Sequence, residues 1–562
     1  MTKPAPLAGA GRLAGAAALI AVLTVVSRLA GFGRAALFTW SLAQTDLGGA
    51  YLVANNVPNF IFEIVAGGAL ASLVVPLLAA EADRGDRRAV AATTGALLTW
   101  VLALLVPLAV LVALLADPLV SLQGTGLTEA QQQVGARMLR LFAPQLPLYG
   151  VGIVLTGVLQ AHRRFAWPVI APLLSSVTVI GVYLGFTAAE GRLATVARVS
   201  PAGELLLSGG TTLGVVVLSL SLLIPLRRLR LPLRPGFRFP AEARARVGGL
   251  AVAGVVTVAT QQVALSVALR QVSFGSAASP GVYNIAQTIY FLPWAVLAVP
   301  LAVAAYPTLA AARAAGDERT YRATLAPTVR GVVLFSLLGA AALVGTAVPV
   351  GHFFFESPEA ARTATAAIAG FAPGLLGYGL FAVLTRALYA RGETRSATVA
   401  TAVGWLTVPA LVFLLGHLMP LADRVLAVAL ATSGGMLLLG GLLIAAVLRS
   451  AGGAALTGVG RAGAAGLLAA AVAGLGGVVV SRWLADLWTP TVPTALVEGM
   501  LSGAVVAVLF FALAWLTDAR DVRPLLAAVT RRLRRRRPPA AANTQEAQRP
   551  PDRGDGKETV TR

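Results

Sequence analysis

Apolar stretches of about 20 residues or more recur along the whole chain, separated by short polar or basic segments. Each is long enough to cross a bilayer as a helix. Read against the loop signals between them, they predict about fourteen helices, near 11–42, 50–80, 89–116, 131–161, 166–189, 204–226, 247–273, 281–311, 325–350, 361–390, 396–417, 424–448, 460–482 and 494–518. The expected fold class is therefore an all-α polytopic membrane protein. Arg28 and Arg34 interrupt the first apolar block. A charge facing hydrocarbon is costly, so ionisable residues inside membrane helices usually turn toward a cavity or pathway. This pair points to negatively charged cargo.

Composition supports the membrane class: of 562 residues, 57% are hydrophobic and 12% charged, with a mean hydropathy of +0.79. A net charge of +21 would suit a nucleic-acid binder, but its distribution argues for another role. Thirty of the 45 Lys and Arg fall on one side of the helix map, and only Arg137, Arg140, Arg192, Arg198, Arg362, Arg424 and Arg482 on the other. By the positive-inside rule both termini are expected in the cytoplasm, and an even helix count agrees. The basic loops are expected to orient the chain and touch anionic lipid heads, with no nucleic-acid partner. The chain has no cysteine, which excludes disulfides and thiolate metal sites. Its first apolar block is too long, and too rich in arginine, for a cleavable signal.

An internal repeat organises the chain. FAPQLPLYGVGIVLTGVLQAHRR (142–164) aligns without gaps with FAPGLLGYGLFAVLTRALYARGE (371–393), and PLLAA (76–80) echoes PTLAA (307–311) at nearly the same offset. Six predicted helices separate the long copies, so both run the same way through the bilayer. That is the plan of transporters built from parallel halves around a central cavity.

Motifs for enzyme chemistry or ATP use are not visible. Lys3 and Lys557 are the only lysines, and neither sits in a phosphate-binding loop. His162, His352 and His417 are scattered at loop borders, not at metal-ligand spacing. The longest internal loop, near 227–246, is rich in arginine and holds one acid, Glu242. No cofactor or metal is expected; membrane potential or an ion gradient would supply the energy.

The candidate cavity residues are Arg28, Arg34, Asn55, Asn59, Glu63, Gln261, Arg270, Gln287 and Arg386, with Asn56, Gln262 and Asn284 as polar company. Arg28 and Arg34 are about 9 Å apart along an ideal helix and about 120° apart around it, with Gly31 and Gly33 between them. Such a pair is able to bracket a diphosphate. Structural ion pairing or snorkelling is the plainer reading, chiefly for Arg270 and Arg386 near helix ends.

Ser27-Arg28, Gly31-Phe32-x-Arg34, AYLVANNVPNFIFEIVAGGALASLVVPLLA (50–79) and FAPGLLGYGLFAVLTRALYARGETRSA (371–397) resemble the MurJ/MviN lipid II flippases of the multidrug/oligosaccharidyl-lipid/polysaccharide exporter superfamily. The resemblance runs from residue 13 to about 520. It implies two pseudo-symmetric six-helix lobes around a central cavity plus two C-terminal helices. The expected division is 1–232 for the N-lobe, 233–450 for the C-lobe, 451–520 for the extra pair and 521–562 for a basic, disordered cytoplasmic tail. The resemblance also implies export of undecaprenyl-diphosphate-linked peptidoglycan precursor across the bacterial cytoplasmic membrane, with lipid II as cargo and cell-wall synthesis proteins as partners; alternating access between the lobes is the expected mechanism. Arg28 and Arg34 match first-helix arginines that line the family's cavity. Phe62 and Glu63 stand where many members carry arginines, Thr288 where some carry one, and Gly49 where an acid is frequent.

The physics of such cargo suits these residues. A bare diphosphate cannot cross hydrocarbon, whereas guanidinium groups pair with its oxygens bidentately and replace lost water. Two negative charges moving outward would gain roughly 4 to 5 kcal/mol per 100 mV of interior-negative potential. Three other readings remain open on sequence: a flippase for another polyprenyl-linked glycan, a cation or drug antiporter of the same architecture, and a scaffold that has lost transport.

Overall fold

The computed structural model describes residues 23, 26–63, 78, 85–124, 126–162, 164, 166–237, 247–276, 278–489 and 491–534. The PLLAA echo apart from Leu78, the start of the first expected helix, the later part of the second and the end of the basic tail lie outside these residues. Among the described residues all regular structure is helical.

The first half of the chain builds α1 (26–38, continued by a π turn at Thr39–Ala43), α2 (Asp46–Phe62), α3 (Arg87–Leu114), α4 (Ala116–Gln123), α5 (Glu129–Phe142), α6 (Gln145–Ala161), α7 (Ala166–Glu190), α8 (Pro201–Ser221) and α9 (Leu223–Arg227). The second half begins with α10 (Val247–Val272) and α11 (Ser279–Pro293), the latter running through a π turn, Trp294–Ala298, into α12 (Val299–Ala314). It continues with α13 (Glu318–Gly345), α14 (Ala347–Phe354), α15 (Pro358–Phe371), α16 (Gly374–Ala390), α17 (Thr394–Leu418) and α18 (Arg424–Ala451). The extra pair is α19 (Val459–Leu487) and α20 (Val492–Arg534). Nine described helices are long and apolar enough to span a membrane, or eleven if two bent pairs each count as one span. Polar caps set several starts: Thr45 accepts from the Gly48 N–H at 3.1 Å and Asp86 from the Ala89 N–H at 3.0 Å.

Two expected spans are corrected. The apolar blocks 131–161 and 361–390 are not continuous helices: each breaks after Phe-Ala-Pro, bending by 40° between α5 and α6 and by 45° between α15 and α16. Proline lacks the N–H that would continue the ladder, so Pro144 and Pro373 each start a new helix. The break is thus a duplicated feature, like the short helices α4 and α14, which were read as loop or as the end of a longer helix. The expected 494–518 helix also runs on to Arg534.

Small residues allow the closest approaches. A Cβ on Gly377 of α16 would sit 1.9 Å from the Met436 carbonyl oxygen of α18. The extra pair packs on α13 and α14, where a Cβ on Gly477 would sit 2.7 Å from Gly345 Cα. Between membrane helices such contacts supply dispersion energy that the lipid cannot.

Candidate functional site

The side chains at positions 27, 28, 31, 32, 34, 35 and 38 lie along one stripe of α1, the spacing expected of a helix face. That stripe walls a cavity of about 790 Å³ whose other sides come from α2, α6, α7, α8 and α11. Both predicted arginines are on it. Arg28 and Arg34 are exposed to this space, and neither is paired with an acid among the described residues. Beside Gly31 a Cβ would meet nothing within 4 Å, so the wall between the two arginines is open.

The rest of the described wall mixes apolar side chains with uncharged polar ones. Asn55 and Asn59 of α2 line the cavity. The Tyr149 hydroxyl donates to Asn59 Oδ1 at 3.3 Å, while Asn55 Oδ1 is buried with no partner. Deeper in, the Tyr51 hydroxyl lies 3.1 Å from that of Tyr183 and 2.9 Å from Thr211 Oγ1. Phe38 packs at a tilt against both tyrosine rings, with centroids 5.2 and 5.5 Å away. From α11 come Asn284 and Thr288; the latter donates to the Asn284 carbonyl at 2.8 Å. Among the described residues, none that lines the cavity is Asp or Glu.

Five predicted residues are elsewhere. Glu63 lies just past the end of α2 and is off the cavity wall; Phe62 beside it instead packs on Tyr149, with centroids 4.2 Å apart. Gln287 donates to the Tyr283 hydroxyl at 2.9 Å. Gln261 and Arg270 belong to α10, and neither is among the residues that line the cavity. Arg386 Nη1 donates to the Ala382 carbonyl of its own helix at 2.5 Å, which is how a helix-bound cation commonly finds an acceptor in lipid. Ser175, Ser176, Tyr183 and Thr211 were missed; their signal was polar side chains within the apolar blocks of α7 and α8.

Contacts between the halves gather beside the cavity, beginning at its lining residue Phe32. Phe32 of α1 meets Phe354 of α14 edge to face, centroids 6.1 Å apart. Gln44 Nε2 donates to the Phe354 carbonyl at 3.5 Å. Arg192, between α7 and α8, pairs with Glu356 just beyond α14, and its guanidinium carbon lies 4.3 Å from the Trp40 ring centroid. The backbones at Gly126 and Ser273 touch, since a Cβ on Gly126 would sit 1.9 Å from the Ser273 carbonyl oxygen.

Comparison with known proteins follows the same geometry. The family model for lipid II flippase MurJ matches residues 41–514. A Synechocystis sp. protein named "Probable lipid II flippase MurJ" is 26% identical over 397 residues, covering 68% of this chain and 72% of its own length. "Lipid II flippase MurJ" of Burkholderia cenocepacia is 27% identical over 413 residues, covering 70% and 77%. Among solved structures, a lipid II flippase MurJ in an inward closed conformation superposes with a TM-score of 0.68 at 18% identity, over 88% of this chain and 98% of that one. An inward-facing MATE-family multidrug transporter superposes at 0.61 and 15% identity, over 76% and 94%. At these identities the solved structures speak to the fold.

Proposed function

The chain belongs to the lipid II flippase MurJ family, so its activity is that of a lipid II flippase, and we propose that the α1 cavity holds the lipid's diphosphate in transit. The observation that carries this reading is the pairing of two exposed guanidinium groups with a wall in which no described residue is an acid. Each arginine offers a planar fork of N–H donors that matches phosphate oxygens bidentately, and in a space shielded from bulk water such bonds are strong. Asn55 and the Tyr51, Tyr183 and Thr211 hydroxyls offer neutral hydrogen bonds for sugar hydroxyl and amide groups.

In this reading the basic loops face the cytoplasm of a bacterial plasma membrane, where they touch anionic lipid, and both termini lie on that side. The head group enters from that side toward Arg28 and Arg34 while the contacts between the halves around Phe354 and Arg192 act as a seal on the other. The lobes then rock, the seal parts, and the head group leaves on the far face, with the polyprenyl tail remaining in lipid. Outward movement of the diphosphate charge lets the membrane potential drive the step, without ATP. An antiporter for cations would want carboxylates in the wall, where none of the described residues supplies one.

The test is depletion in the native host with an outer-leaflet assay for lipid II. Wild-type chain restores outer-leaflet lipid II, and Arg28→Ala and Arg34→Ala each fail to. Full rescue by the double alanine variant would sink the proposal.

A further inference from the structure

Three hydroxyls on the cavity wall form a hydrogen-bonded chain that can run in only one direction. Thr211 Oγ1 donates to the Leu207 carbonyl at 2.7 Å, which uses its single proton. The Tyr51 hydroxyl, 2.9 Å from Thr211 Oγ1, is therefore the donor in that contact, and its own proton is used in turn. The Tyr183 hydroxyl, 3.1 Å from that of Tyr51, is left to donate to it. All three protons thus point away from Tyr183 toward a backbone carbonyl. Tyr183 ends the chain with only oxygen lone pairs to offer.

Other hydroxyls of the wall behave alike. Ser176 donates to the Pro172 carbonyl at 2.9 Å, Thr288 to that of Asn284 at 2.8 Å, and Tyr149 to Asn59 Oδ1. Each keeps acceptor capacity alone. The cavity is divided accordingly, with guanidinium donors on α1 and hydroxyl acceptors on α6, α7 and α11.

The place of Tyr183 follows from α1. Phe38, four residues after Arg34 on the lining stripe, packs against the Tyr51 and Tyr183 rings. Four residues are about 6 Å along a helix axis, so this pair lies about one turn beyond Arg34, on the side away from Arg28. A diphosphate held by the two arginines brings the group bonded to it to this level.

We infer that Tyr183 is a specificity-determining residue whose hydroxyl oxygen accepts a hydrogen bond from the sugar next to the diphosphate, given by a sugar hydroxyl or an amide N–H. The inference rests on the reading of the α1 cavity as the diphosphate site. Phosphate oxygens, which also only accept, find no proton at Tyr183 and are left to the arginines. The direction of the hydroxyl chain therefore fixes which end of the head group lies where.

For the test, the full chain is placed in lipid nanodiscs and its affinity is measured for lipid II and for undecaprenyl diphosphate, which has the same anchor and diphosphate but no sugar. Wild type should favour lipid II, and Tyr183→Phe should lower the ratio of the two affinities by roughly two- to tenfold, the loss of one neutral hydrogen bond. Arg28→Ala should lower both affinities together. Thr211→Val separates the two kinds of donor, because valine keeps the shape of threonine and removes the acceptor of the Tyr51 proton. That proton then turns to Tyr183, whose own proton turns to the cavity. A ratio that falls in Thr211→Val as in Tyr183→Phe assigns the donor as an amide N–H, which meets a proton there; a ratio kept in Thr211→Val alone assigns a hydroxyl, which also accepts. A ratio unchanged in Tyr183→Phe, or already at unity in wild type, overturns the role of Tyr183 and leaves the arginine site standing. Wild type that binds neither lipid, or Arg28→Ala that binds both as tightly, overturns the diphosphate reading and removes the Tyr183 subsite with it.

Discussion

Arg192 and Glu356, 164 residues apart, form an ion pair that joins the two halves of the chain. The side chains are 34% and 64% exposed, so the pair itself is worth about 0–1 kcal/mol. The Trp40 ring beneath the guanidinium adds about 0.5–1 kcal/mol. Arg192→Ala should therefore shift the sealed-to-open ratio by roughly tenfold toward open. The double exchange Arg192→Glu with Glu356→Arg should recover only part, because it restores the ion pair and loses the ring contact. Reaction of a cysteine at the lining position Ser175 with an impermeant maleimide reads both.

Arg34 distinguishes charge from geometry. Neither Arg34 nor Arg28 is tied to an acid among the described residues, so replacing either should leave the melting temperature within a few degrees of wild type. Flipping in proteoliposomes should respond strongly. Loss of a charge-assisted bond of about 1.5–3 kcal/mol corresponds to roughly ten- to a hundredfold for Arg34→Ala. Arg34→Lys keeps the charge and loses the fork, and should fall between the two. Equal flipping by the lysine variant and wild type would show that bidentate contact is not used.

Which of these features could be read from the chain depends on the range of the interactions that make them. Spanning helices follow from local hydropathy, and Arg28 and Arg34 stand out because charge is rare in apolar blocks. The duplicated Phe-Ala-Pro was visible as a repeat, yet its meaning as a bend was not, because prolines elsewhere sit inside unbroken helices, such as Pro107 in α3 and Pro409 in α17. Thr211 on the cavity wall was hidden for a related reason. Its hydroxyl donates to the Leu207 carbonyl four residues back, at 2.7 Å, as apolar helices generally allow, and only the fold turns its other side to the cavity. Arg192 and Glu356 meet through tertiary packing alone. Glu63 and Arg386 were polar at plausible positions, but the helix rotation that takes them off the wall has no local signature.

Arg391 ties the basic face of the second half together. Its Nη1 donates to both carboxylate oxygens of Glu318, at 2.9 and 3.0 Å, its Nη2 to the Ser450 carbonyl at 2.6 Å, and its guanidinium lies 5.0 Å from the Tyr321 ring centroid. With the arginine side chain 11% exposed and Glu318 35% exposed, this is a partly shielded network, so breaking it should cost about 2–3 kcal/mol. Arg391→Ala is expected to lower the melting temperature in detergent, and Arg391→Lys to recover less than half of the loss, since one ammonium cannot reach both Glu318 and Ser450 from the ring-stacked position. A melting temperature unchanged by the alanine substitution would show that the network adds no net stability.

Gly377 tests whether close helix approach, more than side-chain burial, holds the second half in one piece. A Cβ placed there would lie 1.9 Å from the Met436 carbonyl oxygen and 2.3 Å from its carbonyl carbon, both backbone atoms of α18. No rotamer change relieves a clash with backbone, so α16 and α18 must separate along the contact, where Gly440 packs in turn on Gly377 Cα. Overpacking of this kind costs about 1–3 kcal/mol, occasionally more. Gly377→Ala should therefore lower the melting temperature clearly. Gly181→Ala on α7, where a new Cβ meets nothing within 4 Å, should stabilise slightly or leave it unchanged, because alanine is the better helix former. The two substitutions add the same methyl group to a membrane helix, so any difference between them measures the helix contact alone. Equal melting temperatures for the pair would mean that α16 and α18 do not approach as closely as these distances require.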